Sequence, residues 1–439
     1  MTSFTKISCT SHPLRQTLYN ELHTRPFHAI SAPRQISYLS IAARHQDQDR
    51  ALELLRQLCS RYQRPQPDSK TTGFRENFGD FTLEWDRHGE FYSLTISHPV
   101  ATDADPFAVP AIERLPGDWL AELPGEVVAA FHIAVTSGND AAEPGDLSRY
   151  FEGQHISISA AKQGKACIYT AFRLHADGFG RFIIVNKSMS DAQLGRLTRR
   201  LIEVETYRLF AMLPLPQAKK IVPQLGEMDR QLARLLSELP QIGTNEDERN
   251  LLQKLSELEA RLESWRAETN HRFSGAKAYH ELVQDRLGRI GEEKVEGYTT
   301  LGEFMRRRLD PAMRTCASVQ TWMDDLSQRI ERASDLMRTR ANLTLQEQNR
   351  SLLAAMNRRS RLQFRLQETV EGLSVVAISY YLVSLINYML YALPLKTWGL
   401  SKPVVTAAAI PLVLGGVLWL TRRIKHRLIQ APDHEEGEQ

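Results

Sequence analysis

The sequence predicts an α+β (or α/β) cytoplasmic domain, a long helical stalk and a C-terminal two-helix transmembrane hairpin. Three observations predict it. Two charge-free apolar runs lie near the C-terminus, Gly372 to Leu395 and Pro403 to Thr421. Between Ala312 and Leu393 there is no Pro, and Gly372 is the one Gly. Before residue 225, short alternating runs are separated by turn residues. The chain divides accordingly into 1–224, a cytoplasmic α/β domain; 225–371, a helical stalk; 372–421, the hairpin, with spans of about 372–394 and 403–421; and 422–439, a cytoplasmic tail.

In the first segment Gln35–Ala43 reads as a strand. Asp47–Tyr62 reads as a helix, with Leu52, Leu55 and Cys59 on one face. Phe78–Asp86 alternates as a strand, and His88-Gly89-Glu90 turns the chain into Phe91–Ser97. Val127–Val135, His155–Ala160, Lys165–His175 and Phe179–Val185 are further strands, with a hairpin signal at Asp177-Gly178 between the last two. Ser190 caps a helix that runs to about Leu213, where Pro214 and Pro216 end it.

In the stalk, Leu251, Leu255, Leu258, Leu262 and Trp265 step by 4-3-4-3, a coiled-coil seam about two heptads long. Gly275, Gly288, Gly291 and Gly297 read as turns or helix ends. Asp310-Pro311 reads as an N-cap followed by Pro at the first helical position. A single helix from there to Leu393 would be on the order of 120 Å long. Val319 or Trp322, Leu326, Ile330, Ala333 and Met337 form its apolar stripe. That stripe fits packing within one chain or the seam of a homo-oligomer. An amphipathic helix running into a membrane favours contact with copies of itself.

Each apolar run is long enough for a bilayer core, which takes roughly 20 helical residues, and the connection between them is short. Seven Arg and one acid, Glu347, occupy 338–367, and a basic run follows the second span. Arg358, Arg359, Arg361, Arg365, Arg422, Arg423, Lys425 and Arg427 form a collar that predicts both termini on the cytoplasmic side of a cell inner membrane. No apolar stretch in the first thirty residues suggests a signal peptide. Cys9, Cys59, Cys167 and Cys316 are too scattered for a metal site and are expected to remain thiols. Inside the first span Tyr380, Ser384, Asn387 and Tyr391 step by four, three and four. They share one face, a pore lining or a helix interface. Pro411 bends the second span, and Gly415-Gly416 permits close packing.

Composition and motifs bound the function. Lys plus Arg is 55 and Asp plus Glu is 52, so the net charge of +3 gives no reason to expect a nucleic-acid partner. No phosphate loop, dinucleotide fingerprint, nucleophile elbow or H-E-x-x-H motif is present. No enzyme activity, catalytic residue or cofactor is therefore expected. The metal question stays open: Asp103 with Asp105, and Glu246-Asp247-Glu248, suit a hard cation but read first as solvated charge. Glu21–Phe27 brings an acid, an imidazole and a guanidinium together and reads as a tied-down arm. Arg306-Arg307-Arg308 reads as a solvated or partner-facing patch.

Several stretches carry a resemblance. Tyr298–Cys316 (YTTLGEFMRRRLDPAMRTC), Val370–Tyr381 (VEGLSVVAISYY), Leu201–Arg208, Phe172–Phe179 and Glu21–Phe27 resemble the bacterial family termed domain of unknown function 3422. That family is described as predicted membrane-anchored proteins. The resemblance covers nearly the whole chain and implies no activity, cofactor or catalytic residue. The layout also resembles CorA-type magnesium channels, funnels of five chains whose first span ends in Gly-Met-Asn. Leu385–Pro394 lacks that motif and the connection carries Lys396 and Lys402, so the likeness does not extend to magnesium selectivity. The expectation is an inner-membrane homo-oligomer, five copies on the CorA-like layout, acting as a non-enzymatic sensor or scaffold with the lipid bilayer and itself as partners. The alternative is a CorA-like ion channel or transporter of non-magnesium or unknown selectivity.

Overall fold

The computed structural model describes residues 12–15, 28–69, 71–101, 105–138, 147–242, 244–392 and 402–429. The chain forms two compact units, Met1–Ser334 and Asp335–Gln439. Glu21–Phe27, Asp103, Cys9, the Lys396–Ser401 connection and the end of the tail lie outside the described residues.

The first unit is built on β1 (Arg34–Ala42), α1 (His45–Arg61), β2 (Gly73–Asn77), β3 (Thr82–Arg87), β4 (Phe91–Pro99), β5 (Glu126–Ser137), β6 (Ser157–Ala161), β7 (Ala166–Thr170), β8 (Gly180–Asn186), α2 (Asp191–Met212), α3 (Leu215–Glu238), α4 (Asn245–Ile290) and β9 (Glu292–Lys294), followed by the start of α5 (Leu301–Ala392). The strands form one sheet in the order β2-β3-β4-β1-β5-β8-β7-β6-β9. All neighbours are antiparallel except β5 and β8. In β1–β4 and again in β5–β8 the first strand of the set pairs with the fourth and the second lies outermost of the four.

Period-two alternation gives the sheet two apolar faces. One carries Leu39, Leu83, Trp85, Leu94 and Ile96, packed against Leu52, Leu55, Leu58 and Cys59 of α1. The other carries Ile36, Phe131, Ile133, Phe182 and Ile184. It packs against Leu194, Leu197 and Leu201 of α2, and the same core takes in residues of α4 and α5. Each fully buried Leu or Phe contributes roughly 1.5–3 kcal/mol.

The strand readings hold with two corrections. Phe78–Asp86 is not continuous: Phe78 N–H donates to the Phe81 carbonyl at 2.8 Å around Gly79, whose φ is +108°, and this turn separates β2 from β3. The Lys165–His175 strand stops at Thr170, because Phe172 has a left-handed φ of 52°. The α2 cap is as read. Ser190 and Gln193 form a capping box.

The helices differ more from expectation. Gly275 and Gly288 lie inside α4, and Gly291, with φ of 61°, is its C-terminal cap. The start of α5 is Leu301, ten residues before Pro311, and the helix continues through that proline. A second capping box sets the start: Thr300 Oγ1 accepts from Glu303 N, and Glu303 accepts from Thr300 N, both at 3.1 Å. Burial of Leu301, Met305 and Leu309 secures the added turns.

Within the first unit α3, α4 and α5 form a bundle. The seam residues Leu251, Leu255, Leu258 and Leu262 are buried inside this one chain, and Trp265 is half-buried. On α5 the stripe runs Val319, Met323, Leu326, Ile330 and Ala333, with Met323 in place of the half-buried Trp322. Arg266–Asp324 (3.4 Å), Ser327–Glu259 (3.0 Å) and His280–Asp310 (2.9 Å) tie α4 to α5, with numbering that runs in opposite directions. Arg329–Asp229 at 2.7 Å ties α5 to α3.

In the second unit α5 continues to Ala392, and α6 covers Lys402–Ile429.

Candidate functional site

The apolar part of the second unit has an unusual surface. Leu373, Val376, Tyr380, Leu385, Tyr388 and Met389 of α5 are exposed, as are Leu412, Trp419 and Leu420 of α6. On α5 the covered residues of this part are Val375 and Ser379, buried, and Val383, Ser384 and Ile386, half-buried. On α6 the half-buried residues are Val405, Ala409, Val413, Val417 and Thr421, stepping by four, with Thr406 beside the first. Both are ridges of small or β-branched residues, the type that permits close helix approach in lipid. By length and composition both helices are able to cross a membrane.

The four residues singled out by spacing lie beside this ridge. Tyr380 and Asn387 are exposed and Ser384 is half-buried. Tyr391 is in α5, with its side chain outside the described residues. The covered face is thus the neighbouring one, through Ser379, and the i, i+4 run of small residues was the signal for it. The collar residues Arg358, Arg359, Arg361, Arg365, Arg422 and Arg423 are exposed. Arg423 lies over the Trp419 ring at 4.8 Å. Lys425 and Arg427 are in α6, with side chains outside the described residues.

The remaining candidates fall in the first unit. Asp105 Oδ1 accepts from Phe107 N at 2.8 Å, which closes a local turn. Glu246 and Asp247 lie in the first turn of α4, where carboxylates complement the helix dipole, and Thr244 caps Asp247 N at 3.2 Å. Arg306, Arg307 and Arg308 are exposed, opposite the buried Leu301, Met305 and Leu309. Among the described residues no group of three or more His, Cys, Asp or Glu is arranged to hold a metal ion. Cys59, Cys167 and Cys316 are buried free thiols.

Three polar arrangements were not anticipated, because each joins residues far apart in sequence. At the first, Ser37 Oγ meets His132 Nδ1 at 2.9 Å and accepts from Ile112 N at 3.0 Å. Burial lowers the His132 pKa from 6.5 to about 4, against the opposing pull of Asp177. Ser37 and His132 are both buried and the hydroxyl already accepts a backbone bond, so the pair is a structural tie rather than an exposed nucleophile. Close by, Arg181 donates to Asp177 at 2.9 Å, and the buried His175 faces Glu152 at 3.5 Å. Burial, then Arg181, holds the His175 pKa below its ordinary value.

The second is an ion network beneath α2. Arg199 bonds Asp86 of β3 and Glu203, both at 3.2 Å, and Glu203 also accepts from Arg286 of α4. Burial works against the Arg199 charge, but Asp86 and Glu203 outweigh it and hold the pKa above the ordinary value.

The third joins the sheet edge to the first turn of α5. Glu292 of β9 accepts from Ser159 Oγ (2.9 Å), Thr300 Oγ1 (3.2 Å) and Gly302 N (2.9 Å). Leu301 N donates to Ser159 Oγ at 2.9 Å. With Glu303 N on Thr300 Oγ1 and Phe304 N on the Thr300 carbonyl, all four initial amides of the helix are satisfied. A Cβ at 302 would lie 2.2 Å from Glu292 Oε1, so a larger residue there would displace the carboxylate from this position.

A nine-stranded α+β unit, a helix bundle and two apolar helices define a mixed protein with membrane-competent C-terminal helices. The chain belongs to the family described as protein of unknown function (DUF3422), which matches residues 10–428. No curated protein and no solved structure matches it.

Proposed function

We propose that the protein is an integral inner-membrane protein with two spans and cytoplasmic termini, a homo-oligomer whose first unit acts without catalysis as a sensor or scaffold. The supporting observation is the exposed apolar surface of α5 and α6. Leu373, Val376, Leu385 and Met389 are each at least 60% exposed, and so is Leu412. Contiguous apolar surface on this scale is stable against lipid or another protein, not water. Exposed Arg365 before the first span and Arg422 after the second suit the anionic headgroups of one leaflet.

Self-assembly draws on Asn387. It is exposed in the single chain, inside a predicted span, and an amide at that depth needs a hydrogen-bond partner. A second copy supplies one. Alkaline carbonate extraction tests insertion, and release of the protein into the supernatant would refute it. Mass in detergent tests assembly, and a monodisperse monomer would refute that part. A pore along the Tyr380, Ser384 and Asn387 face is the alternative; it requires ion flux in liposomes that disappears in Asn387→Leu.

A further inference from the structure

Strands β2, β3 and β4 send alternate residues to opposite faces of the sheet. Those facing α1 are mainly apolar, with Leu83, Trp85, Leu94 and Ile96 in the core and Glu76 and Arg87 as polar members. The register puts Arg75 opposite Glu84, Glu84 opposite Thr95, and Ser97 opposite Ile36, all on the face covered by α2. A sheet face roofed by a helix is ordinarily apolar. On β2–β4 this face is polar, although β1 adds Ile36 and α2 adds Ile202 beside Thr198 and Arg199.

A cavity of about 50 Å³ lies in this layer, walled by Arg34, Arg75, Glu84, Ser97 and Thr198 and closed by His28–Ile30 across Gly195. A water takes roughly 10–15 Å³ on this measure, so the space suits a few waters or one tetrahedral oxyanion, and it excludes a nucleotide.

Two buried donors on residues that line the cavity have no hydrogen-bond partner among the described residues. Arg34 Nε is buried and bonded to nothing. Its Nη1 reaches Ser97 Oγ only at 3.4 Å, and among the described residues no carboxylate lies within ion-pair distance of it. Thr198 is 1% exposed, and its hydroxyl has no partner. A helical Thr normally bonds the carbonyl four residues back, as Thr269 does to Trp265 at 2.7 Å. Arg75 pairs with Glu84 at 2.8 Å, so Arg34 is left as the surplus positive charge. Burial first, then Arg75, holds the Arg34 pKa below its ordinary value, against the smaller opposing pull of the Asp191 carboxylate.

We propose that this layer is a binding site for a small tetrahedral oxyanion, phosphate or sulfate, held by Arg34 Nε and the Thr198 hydroxyl, with Arg75 as the second cation. The site lies within the first unit and does not depend on membrane insertion.

The test is calorimetric titration of the full chain in detergent with sodium phosphate and sodium sulfate, against sodium chloride at matched ionic strength. Saturable binding of one phosphate or sulfate per chain is expected. Arg34→Gln should weaken it by at least about 30-fold, as loss of a charge-assisted bond predicts. Thr198→Val keeps the side-chain shape and should weaken it by about five-fold. Arg306→Gln, an exposed arginine elsewhere, should leave it unchanged. If Arg34→Gln does not fold, Thr198→Val carries the test. No saturable heat, a heat that follows ionic strength alone, or binding unaffected by Thr198→Val overturns the proposal.

Discussion

Gly195 lies in the interior of α2, where replacing Gly by Ala ordinarily stabilises a helix by about 1 kcal/mol. The structure reverses that sign. A Cβ at 195 would lie 1.8 Å from the His28 carbonyl oxygen, 2.9 Å from its carbon and 3.3 Å from Ala29 Cα. These are backbone atoms, so no rotamer change relieves the clash. Residues 28–30 would have to move, and they are held by Ile30 N on the Asp191 carbonyl at 3.1 Å and by Ser31 on the Asp191 carboxylate. Overpacking costs roughly 1–3 kcal/mol, and each strained hydrogen bond adds about 1 kcal/mol. Set against the helix gain, Gly195→Ala should be destabilising by about 2–4 kcal/mol. Gly288 is the control, also inside a helix but with nothing within 4 Å of where the alanine methyl would sit. Gly288→Ala should gain up to about 1 kcal/mol. Denaturant titration of the full chain in detergent, followed by fluorescence of the buried Trp85 and Trp119, reads both. The reasoning fails if Gly195→Ala matches or exceeds wild type while Gly288→Ala behaves as stated.

Three further outcomes are expected. The His132 pKa is lower folded than unfolded, so the unfolded chain takes up the proton first as the medium acidifies; stability present above pH 6.5 is lost as pH falls toward 4, by up to about 3 kcal/mol. His132→Gln should flatten the denaturation-versus-pH curve in that window, and an unchanged slope would contradict the assignment. Glu292→Ala removes a carboxylate that receives bonds from Ser159, Thr300 and Gly302, and should cost about 2–4 kcal/mol. Faster hydrogen exchange at Leu301 and Gly302 amides checks it, and unchanged protection there would count against the joint. Asn387→Leu should shift the mass in detergent toward the monomer, and an unaltered mass would remove Asn387 from any interface.

Much of the architecture was legible because it rests on local signals. The apolar runs, the Pro-free stretch after Ala312 and the Ser190 capping box need no tertiary knowledge. The missed boundaries are cases where packing overrules a local signal. Pro311 marks a helix start in sequence, yet the helix runs through it because Leu301, Met305 and Leu309 bury on the turns before it. Thr300 and Glu303 were readable as a capping box, but the stronger Pro signal masked it. β2 and β9, GFREN and EEK, are too short and polar to show alternation. The polar groups of the first unit could not be assembled at all. Arg75, Glu84 and Thr95 come together only through strand register, and Ser37 meets His132 across 95 residues.

The two border strands of the sheet have a consequence for how copies of this chain can meet. β2 carries Arg75 and Glu76, and β9 is the three-residue Glu292–Lys294. A strand from another molecule laid along either border would gain few main-chain bonds and would have to strip water from charged side chains. Growth of the sheet from chain to chain is discouraged at both ends. What contact the sheet borders deny to a second copy is left to side chains on helices, where one substitution can tune it.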